Sequence, residues 1–533
     1  MRSPTIPMVT SGLRSHARRL RLLAPEARRL AATGRFVAED GLLWTRASGM
    51  GPTDAIASNR ALVTQLLEAC SIRYVPVRNH AAHERSTVAI AERDRQRFVA
   101  AVADRLAGDA VYVQEIEAGR AATRARAGSP AVLAARAGGR FERARVIRIG
   151  RLHLDPVSGL RHDLRYGCDV EVWVPTRLEG RPAWSTARPT VAGATIPEDV
   201  LGLTADVPAG ARIFERALLD DVTFPIDAVY TWVDGSDPVW RAKLEEHRAA
   251  TGYHIEAIAP ERFRSRQELR YSLRTLFMFA PWIRHVYLVT DGQVPAFLDP
   301  SHPRLTIVDH REIAPDPSVL PVFSSNAITT WLHRIPGLSE HYLYLNDDVF
   351  FGRLVAPSLF FTGSGLCRVF PGSTTRPFGP PDPADPPHVN LTRNIRALVE
   401  EACGRTFTHA IRHTPYSQRV SVHQEMEERF SEAYRRTASH RFRHHEDIAG
   451  DQLFHYYALA TGRAVAGPIR YDYVNVNSSV QALDRLRRAA LDVFCLNDGP
   501  KVGSGIPDDV LTAFLEAHAP IPSPMEIDQE PHD

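Results

Sequence analysis

Two adjacent carboxylates, Asp347 and Asp348, directly follow the apolar run Tyr342-Leu343-Tyr344-Leu345, with Asn346 between. Acids turned out at a strand end suit a hard divalent cation, Mg2+ or Mn2+, that bridges a nucleotide diphosphate. Such an ion takes one or two protein carboxylates and leaves its other positions to phosphate and water. A plain Asx turn accounts for the same residues, and a motif this short leaves both readings open. Asp227 sits inside an otherwise apolar strand. Buried without a partner it would cost several kcal/mol or be forced into its protonated form. A nucleotide base or ribose could supply that partner, and so could backbone amides. A third group comprises His409, Arg412, His413, Pro415 and His423, then Arg441, Arg443, His444, His445, Glu446 and Asp447. Phosphoryl transfer needs a base for the incoming hydroxyl and cationic groups for the equatorial oxygens. An imidazole of ordinary pKa, about 6.5, can be the base, and a guanidinium fork matches a pair of phosphate oxygens. Any one of these histidines taken singly is better explained as a surface residue. No His-Glu-x-x-His occurs, so the spacing is not a zinc pattern. Cys495-Leu496-Asn497-Asp498-Gly499 brings an apolar segment to a turn.

Short strands and amphipathic helices must position these groups. Pro225 to Gly235, His285 to Gly292, Leu305 to Asp309 and Tyr342 to Leu345 read as buried strands ending in acidic or glycine-containing turns. Arg266 to Phe279 reads as a helix with Leu269, Leu273, Leu276 and Phe277 on its buried stripe and Arg266, Arg270 and Arg274 on another. Strands alternating with helices predict an α/β fold, a mostly parallel sheet with flanking helices, in which ligands bind at the carboxyl ends of strands. Further on, Val422, Met426 and Phe430 mark one helix, and Leu453, Tyr456 and Tyr457 another. A separate N-terminal α+β domain is expected over 51–220. Its strands are Arg73 to Val77, Thr87 to Ala91, Val146 to Ile149 and Val170 to Val174, with a helix through Phe98, Val99, Val102 and Leu106. Ala121 to Arg140 resembles a helical hairpin or a mobile loop, and nothing catalytic stands out in this domain. The expected boundaries are a basic extension (1–50), that domain, a catalytic domain (221–500) interrupted by a proline-rich excursion (370–387), and a C-terminal tail (501–533) disordered from about Pro520.

Over 533 residues, 44% are hydrophobic and 24% charged, which excludes a disordered chain, a collagen and a small disulfide scaffold. A formal net charge of +2 argues against a nucleic-acid partner. No apolar run of 18 residues suggests a membrane-spanning helix, and no continuous apolar stretch near residue 1 resembles a signal peptide. The five cysteines are scattered without metal-ligand spacing, as suits a reducing compartment. Only Lys243 and Lys501 are lysines, a bias associated with GC-rich bacterial genomes. The cytoplasm is the expected location. Residues 1–36 carry eight arginines against Glu26; they suit peripheral contact with an anionic membrane, though a frayed extension is the reading favoured.

Taken in order, these segments resemble the Stealth family of sugar-phosphate transferases. The likeness is carried by Ile226 to Gly235, Glu268-Leu269-Arg270-Tyr271-Ser272-Leu273-Arg274, Ala280 to Arg284, Val289 to Pro295, His333 to Ser339, Tyr344 to Gly352, His413-Thr414-Pro415, Arg443-His444-His445-Glu446-Asp447 and Cys495-Leu496-Asn497-Asp498. The resemblance implies a glycosyltransferase-A-like, Rossmann-like catalytic domain that transfers a sugar 1-phosphate. The donor is a nucleotide sugar, typically a UDP-hexose derivative, and the acceptor a hydroxyl of a polysaccharide or oligosaccharide. By position, Asp227 would contact the nucleotide, Asp347 and Asp348 would hold the metal, His413 would be the base and Arg443 would stabilise transition-state charge. Asn497 and Asp498 would close the site. The matching segments also place Asp234, Arg270, Arg274, Asp291, Asn346 and His333 among the substrate-binding residues. Two positions depart from the pattern. Ser265 and Arg266 stand where family members often have Asp-Asn, and Thr329 where they often have Glu.

Overall fold

The structure, a computed structural model, describes residues 25–79, 84–117, 120–121, 124–129, 141, 143–208, 210, 212–248, 263–499 and 502–527. The first 24 residues of the basic stretch and most of Ala121 to Arg140 lie outside them. The chain divides into two compact units, Met1–Ala217 and Leu218–Asp533.

In the first unit the strands Val111–Glu117, Val146–Arg151, Cys168–Leu178, Arg181–Thr190 and Gly193–Pro197 form an antiparallel sheet, and Thr87–Ala91 adds to it parallel to Cys168–Leu178. Helices Pro52–Ala69 and Arg95–Arg105 bury Leu62, Val63, Leu66, Phe98 and Val102 against Val88, Ile90, Ile147, Ile149, Val170 and Val172. The sequence pattern marks three of these strands, through Thr87 to Ala91, Val146 to Ile149 and Val170 to Val174, and the second helix. The sheet centre is charged. Asp169 and Glu171, both fully buried, meet Arg148 (2.7 Å to Asp169) and Arg188 (2.9 Å to Asp169, 2.7 Å to Glu171).

The second unit is built on strands β1 (Ile226–Thr231), β2 (Ile283–Thr290), β3 (Leu305–Asp309), β4 (His341–Asn346), β5 (Val349–Phe351), β6 (Tyr416–Arg419), β7 (Tyr471–Asn475) and β8 (Val493–Asn497). The main sheet has the order β3-β2-β1-β4-β6, with β1 to β4 parallel and β6 antiparallel. Central parallel strands are covered on both faces and so read as continuous apolar runs, as in β1, where residues 226–230 are all buried. The register aligns Thr231 with Asn346 and Thr290 with Asp309, so the polar ends of four strands form one edge. Glycine makes the turns there. Gly292 has φ +73°, and a Cβ on Gly235 would lie 2.3 Å from the Phe263 carbonyl oxygen.

A small second sheet, β5-β8-β7, sits beside this edge. Val349 pairs with Cys495, and Asn475 with Asn497, so the chain returns to the Asp347-Asp348 turn after about 150 residues. Helix α1 is Pro238–Arg248 and α2 is Glu268–Phe279, two residues shorter at its start than the periodicity suggests. Helix α2 is pinned to β5: Ser272 Oγ donates to the Val349 carbonyl (2.6 Å) and Phe351 N–H donates to Thr275 Oγ1 (3.1 Å). Helix α3 is Gly450–Ala460 and α4 is Asp508–His518.

The disorder expected from about Pro520 is incorrect, since Ser523 and Met525 are buried there. Leu511, Phe514 and Leu515 of α4 are buried as well. His518 Nε2 donates to the Phe351 carbonyl (3.0 Å). Within the proline-rich excursion, Pro371–Thr375 pairs with His409–Ile411, and exposed chain then leads to the helix Pro387–Cys403. Buried Arg396 holds that exposed chain, donating to the carbonyls of Pro377 (2.6 Å), Phe407 (3.2 Å) and Arg376 (3.3 Å). Among the described residues, no helix is long and apolar enough to cross a membrane.

Candidate active site

The turn between β4 and β5 presents Asp347 and Asp348, both half-buried. Asp348 Oδ2 accepts from Asn497 Nδ2 (3.2 Å) and the Cys495 thiol (3.4 Å), and its backbone oxygen accepts from Leu496 N–H (3.0 Å). Its Oδ1 is buried without a partner. A third acid, absent from the sequence-derived set, faces the pair. Glu268 begins α2 after Gln267, which takes a left-handed φ of 66°. Such a conformation is uncommon for a side-chain-bearing residue and recurs at functional sites. Burial first, then the charges of Glu268 and Asp348, hold the Asp347 carboxyl well above the usual carboxylate range. Burial likewise raises Asp348, against the lowering influence of His413 and Asn497. Glu268 is raised by burial and by Asp348, although its own N–H and that of Arg266 oppose this. Like charges gathered this way disfavour their common ionisation, and a cation reverses the balance. An all-oxygen donor pair with one orphaned oxygen fits Mg2+ or Mn2+.

Opposite stands His413, in the loop between Ile411 and β6. Its Nδ1 is buried without a partner, and its ring lies 5.9 Å from Tyr473 and 6.5 Å from Tyr416. Burial lowers its pKa, Asp348 pulls it up, and Arg376 and Arg443 push it down again; the net shift is downward. Neutral imidazole therefore prevails at neutral pH. Arg443 donates from Nη2 to Ser325 Oγ (2.8 Å). Tyr473 donates its hydroxyl to Asn497 Oδ1 (2.7 Å) and is 42% exposed, a ring offered to solvent beside the histidine.

Two more residues went unread in the sequence. Arg376, at the base of the exposed excursion, acts electrostatically on His413, and among the described residues its guanidinium has no hydrogen bond or ion pair. Asp451 of α3 is buried, and its carboxyl is pushed up to about 6 by burial, against Thr329, nearby backbone N–H groups and Arg443. It follows the Arg443-to-Asp447 motif by four residues, so proximity to that motif was its only signal.

Other sequence-derived site residues are engaged elsewhere. Asp227 is the second residue of β1, at the opposite end of the strand from the acidic turn. Arg284 grips it through Nε (2.8 Å) and Nη2 (2.6 Å), and Ser339 N–H donates to it (2.8 Å); nucleotide contact by Asp227 is corrected to a structural ion pair. Arg270 and Arg274 share the single carboxylate of Glu526, at 2.8 Å and 2.7 Å, which engages both within the fold rather than at the acidic turn. His333 is buried against Glu427 (2.8 Å) and stacked on His423 at 5.6 Å, and it too is engaged within the fold. Asp234, Asp291 and Asn346 do stand at the polar strand edge. Asp234 accepts from Ser236 N–H (2.8 Å), Asp291 accepts from Lys243 (2.9 Å), and Asn346 Oδ1 accepts from the Tyr344 hydroxyl (3.0 Å). Asp498 is bound by Asn477 (2.6 Å) and Arg266 (2.9 Å).

The departures have structural uses. Arg266 ties Asp498 to Asp508 (2.9 Å each), and Ser265 Oγ accepts from Gln267 N–H (3.3 Å). Thr329 Oγ1 accepts from Gly450 N–H (3.1 Å) at the start of α3.

The geometry is thus a polar site at the carboxyl edge of an α/β sheet, with a cation-seeking acid pair facing a neutral imidazole and two arginines. Three segments match the Stealth proteins: conserved region 1 over residues 224–251, region 2 over 262–369 and region 3 over 412–460. An exopolysaccharide phosphotransferase of Streptomyces coelicolor is 40% identical over 94% of this chain and 87% of its own. Exopolysaccharide phosphotransferase CpsY of Mycobacterium tuberculosis is 34% identical over 90% of each. The chain belongs to the Stealth family. Among solved structures, the galactosyltransferase LgtC aligns with 55% of this chain and 96% of its own at 12% identity and a TM-score of 0.28, too slight a likeness to bear on function.

Proposed function

We propose that the protein transfers a sugar 1-phosphate from a nucleotide-activated sugar to a hydroxyl of a cell-surface polysaccharide. The observation that carries this reading is the meeting of His413 and the Asp347-Asp348 turn at one sheet edge, in a chain whose relatives are named exopolysaccharide phosphotransferases. His413, unprotonated and with an orphaned ring nitrogen, takes the proton of the acceptor hydroxyl. The hydroxyl oxygen then bonds to the sugar-linked phosphorus as the bond from that phosphorus to the nucleotide's phosphate oxygen breaks. A phosphodiester forms and the nucleoside monophosphate leaves. Arg443, with Arg376 beside it, meets charge on the equatorial oxygens. Asp347 and Asp348 would hold Mg2+ or Mn2+, which when bound draws charge from the diphosphate. Asn497 keeps the Asp348 carboxylate in place, and the Tyr473 ring offers a face on which a base or sugar can stack.

Attack at the sugar carbon would instead make the protein a glycosyltransferase, and the leaving nucleotide tells the two apart. Purified protein is incubated with Mg2+, UDP-hexoses and a capsular glycan acceptor, and the released nucleotide is identified. UMP supports transfer of sugar phosphate; UDP overturns it.

A further inference from the structure

The segment bearing Arg443 carries another group of side chains that the reaction above does not use. One donor atom each from His440, His444 and Glu446 lie within 4.8 Å of one another. The rings of His440 and His444 are 4.2 Å apart, and His444 Nδ1 is 3.6 Å from Glu446 Oε2. Glu446 N–H donates to His444 Nδ1 (3.4 Å), a long hydrogen bond that marks Nδ1 as the unprotonated nitrogen of that ring. His440 Nδ1 lies 2.8 Å from Asp447 Oδ1. Asp447 is itself buried and fixed, accepting from His444 N–H (2.9 Å) and Asn326 Nδ2 (3.3 Å). A fixed carboxylate that accepts Nδ1–H leaves Nε2 as the lone-pair nitrogen, the arrangement that orients metal-bound histidines.

We propose that His440, His444 and Glu446 bind a divalent transition ion of the Zn2+ class, at a site separate from Asp347 and Asp348. Two imidazoles and a carboxylate are a borderline donor set that suits Zn2+ or Co2+ with one position left to water. Mg2+, which selects all-oxygen surroundings, is excluded. His445 lies tilted against His444, with ring centres 4.1 Å apart, and stands outside the set. The spacing His-x3-His-x-Glu matches no zinc motif; the turn at residues 445–446 is what closes it. An ion there joins the two ends of the segment that holds Arg443 and fixes the approach of that guanidinium.

The test is a Co2+ titration of the full chain stripped with a chelator. Saturation at one equivalent with visible d–d absorption, reversed by Zn2+ but not by Mg2+, is expected, together with a raised Tm in Zn2+. His440→Ala and Glu446→Gln should abolish both signals, while His445→Ala and Asp347→Asn retain them. Circular dichroism checks that each variant is folded, and the isosteric Glu446→Gln decides if His440→Ala is not. Absence of saturable binding at micromolar Co2+, binding indifferent to Glu446→Gln, or binding lost in Asp347→Asn overturns the proposal.

Discussion

Each unit buries a cluster of acids, and the clusters are opposites. In the first unit, burial pushes Asp169 up, but Arg148, Arg188 and Arg85 outweigh it and the carboxyl ends below its ordinary range. In the second, burial and neighbouring acids act together on Asp347, and its carboxyl ends far above. Residue type is the same; Asp169 is fully buried and Asp347 half-buried, yet the shifts are opposite in sign because the supply of cations differs. A charge cluster completed by the protein's own arginines holds a sheet together. One left short of positive charge waits for a ligand, and perturbed carboxylates of this kind gather at functional sites.

The sharpest break between the two comes from activity. His413→Ala and Arg443→Ala are expected to lower turnover by about 10²- to 10⁴-fold, the range of a lost acid–base or charge-stabilising group, with Tm nearly unchanged. Steady-state rates beside thermal melts would show it, and full activity in both variants would end the mechanism. Asp169→Ala should do the reverse. Stripped of its carboxylate, buried Arg148 is left unpaired while Arg188 keeps only Glu171, a loss of about 3–5 kcal/mol readable in urea denaturation.

The third prediction concerns sign. The folded-state pKa of Asp347 is raised, so its contribution to stability is present below the unfolded carboxyl range and is lost as pH rises through the folded value. Asp169 is depressed, and its contribution is present above the unfolded value and lost as pH falls through the folded one. In chelator, Asp347→Asn should therefore stabilise the protein at neutral pH, by on the order of 1 kcal/mol, and flatten its acidic pH dependence; saturating Mg2+ should erase the gain. An unchanged melt in chelator would contradict the cation-deficient description. The smallest effect is expected for Arg376→Ala. Removing a charge that depresses the His413 pKa should move the acid limb of kcat/KM to higher pH by a fraction of a unit, and a pH–rate profile measures it.

Much of the second unit was legible because its physics is local. Four apolar runs ending in acid or glycine turns are parallel strands, and β3 appears over the very residues read from the pattern. The Asp347-Asp348 turn stood out by residue type, whereas His413 was singled out from its neighbouring histidines only by the family resemblance. What failed depended on distant partners. Nothing near Asp227 announces Arg284, 57 residues on, and nothing near Arg270 announces Glu526, 256 residues on. Each reading assigned to substrate a charge that the fold had already satisfied. Glu268 was overlooked for the converse reason. At the start of an amphipathic helix a Glu is ordinary; only the fold brings Asp347 to face it.

The grip of Glu526 on α2 also has a consequence in time. During synthesis α2 and β5 can pair early, but two arginines of that helix have no acid to meet until the ribosome has made another 252 residues. Closing so long a loop is slow relative to local pairing. The second unit therefore completes itself only after residue 526 has been made, and a nascent chain halted before it presents an exposed basic helix face that Glu526 would otherwise cover.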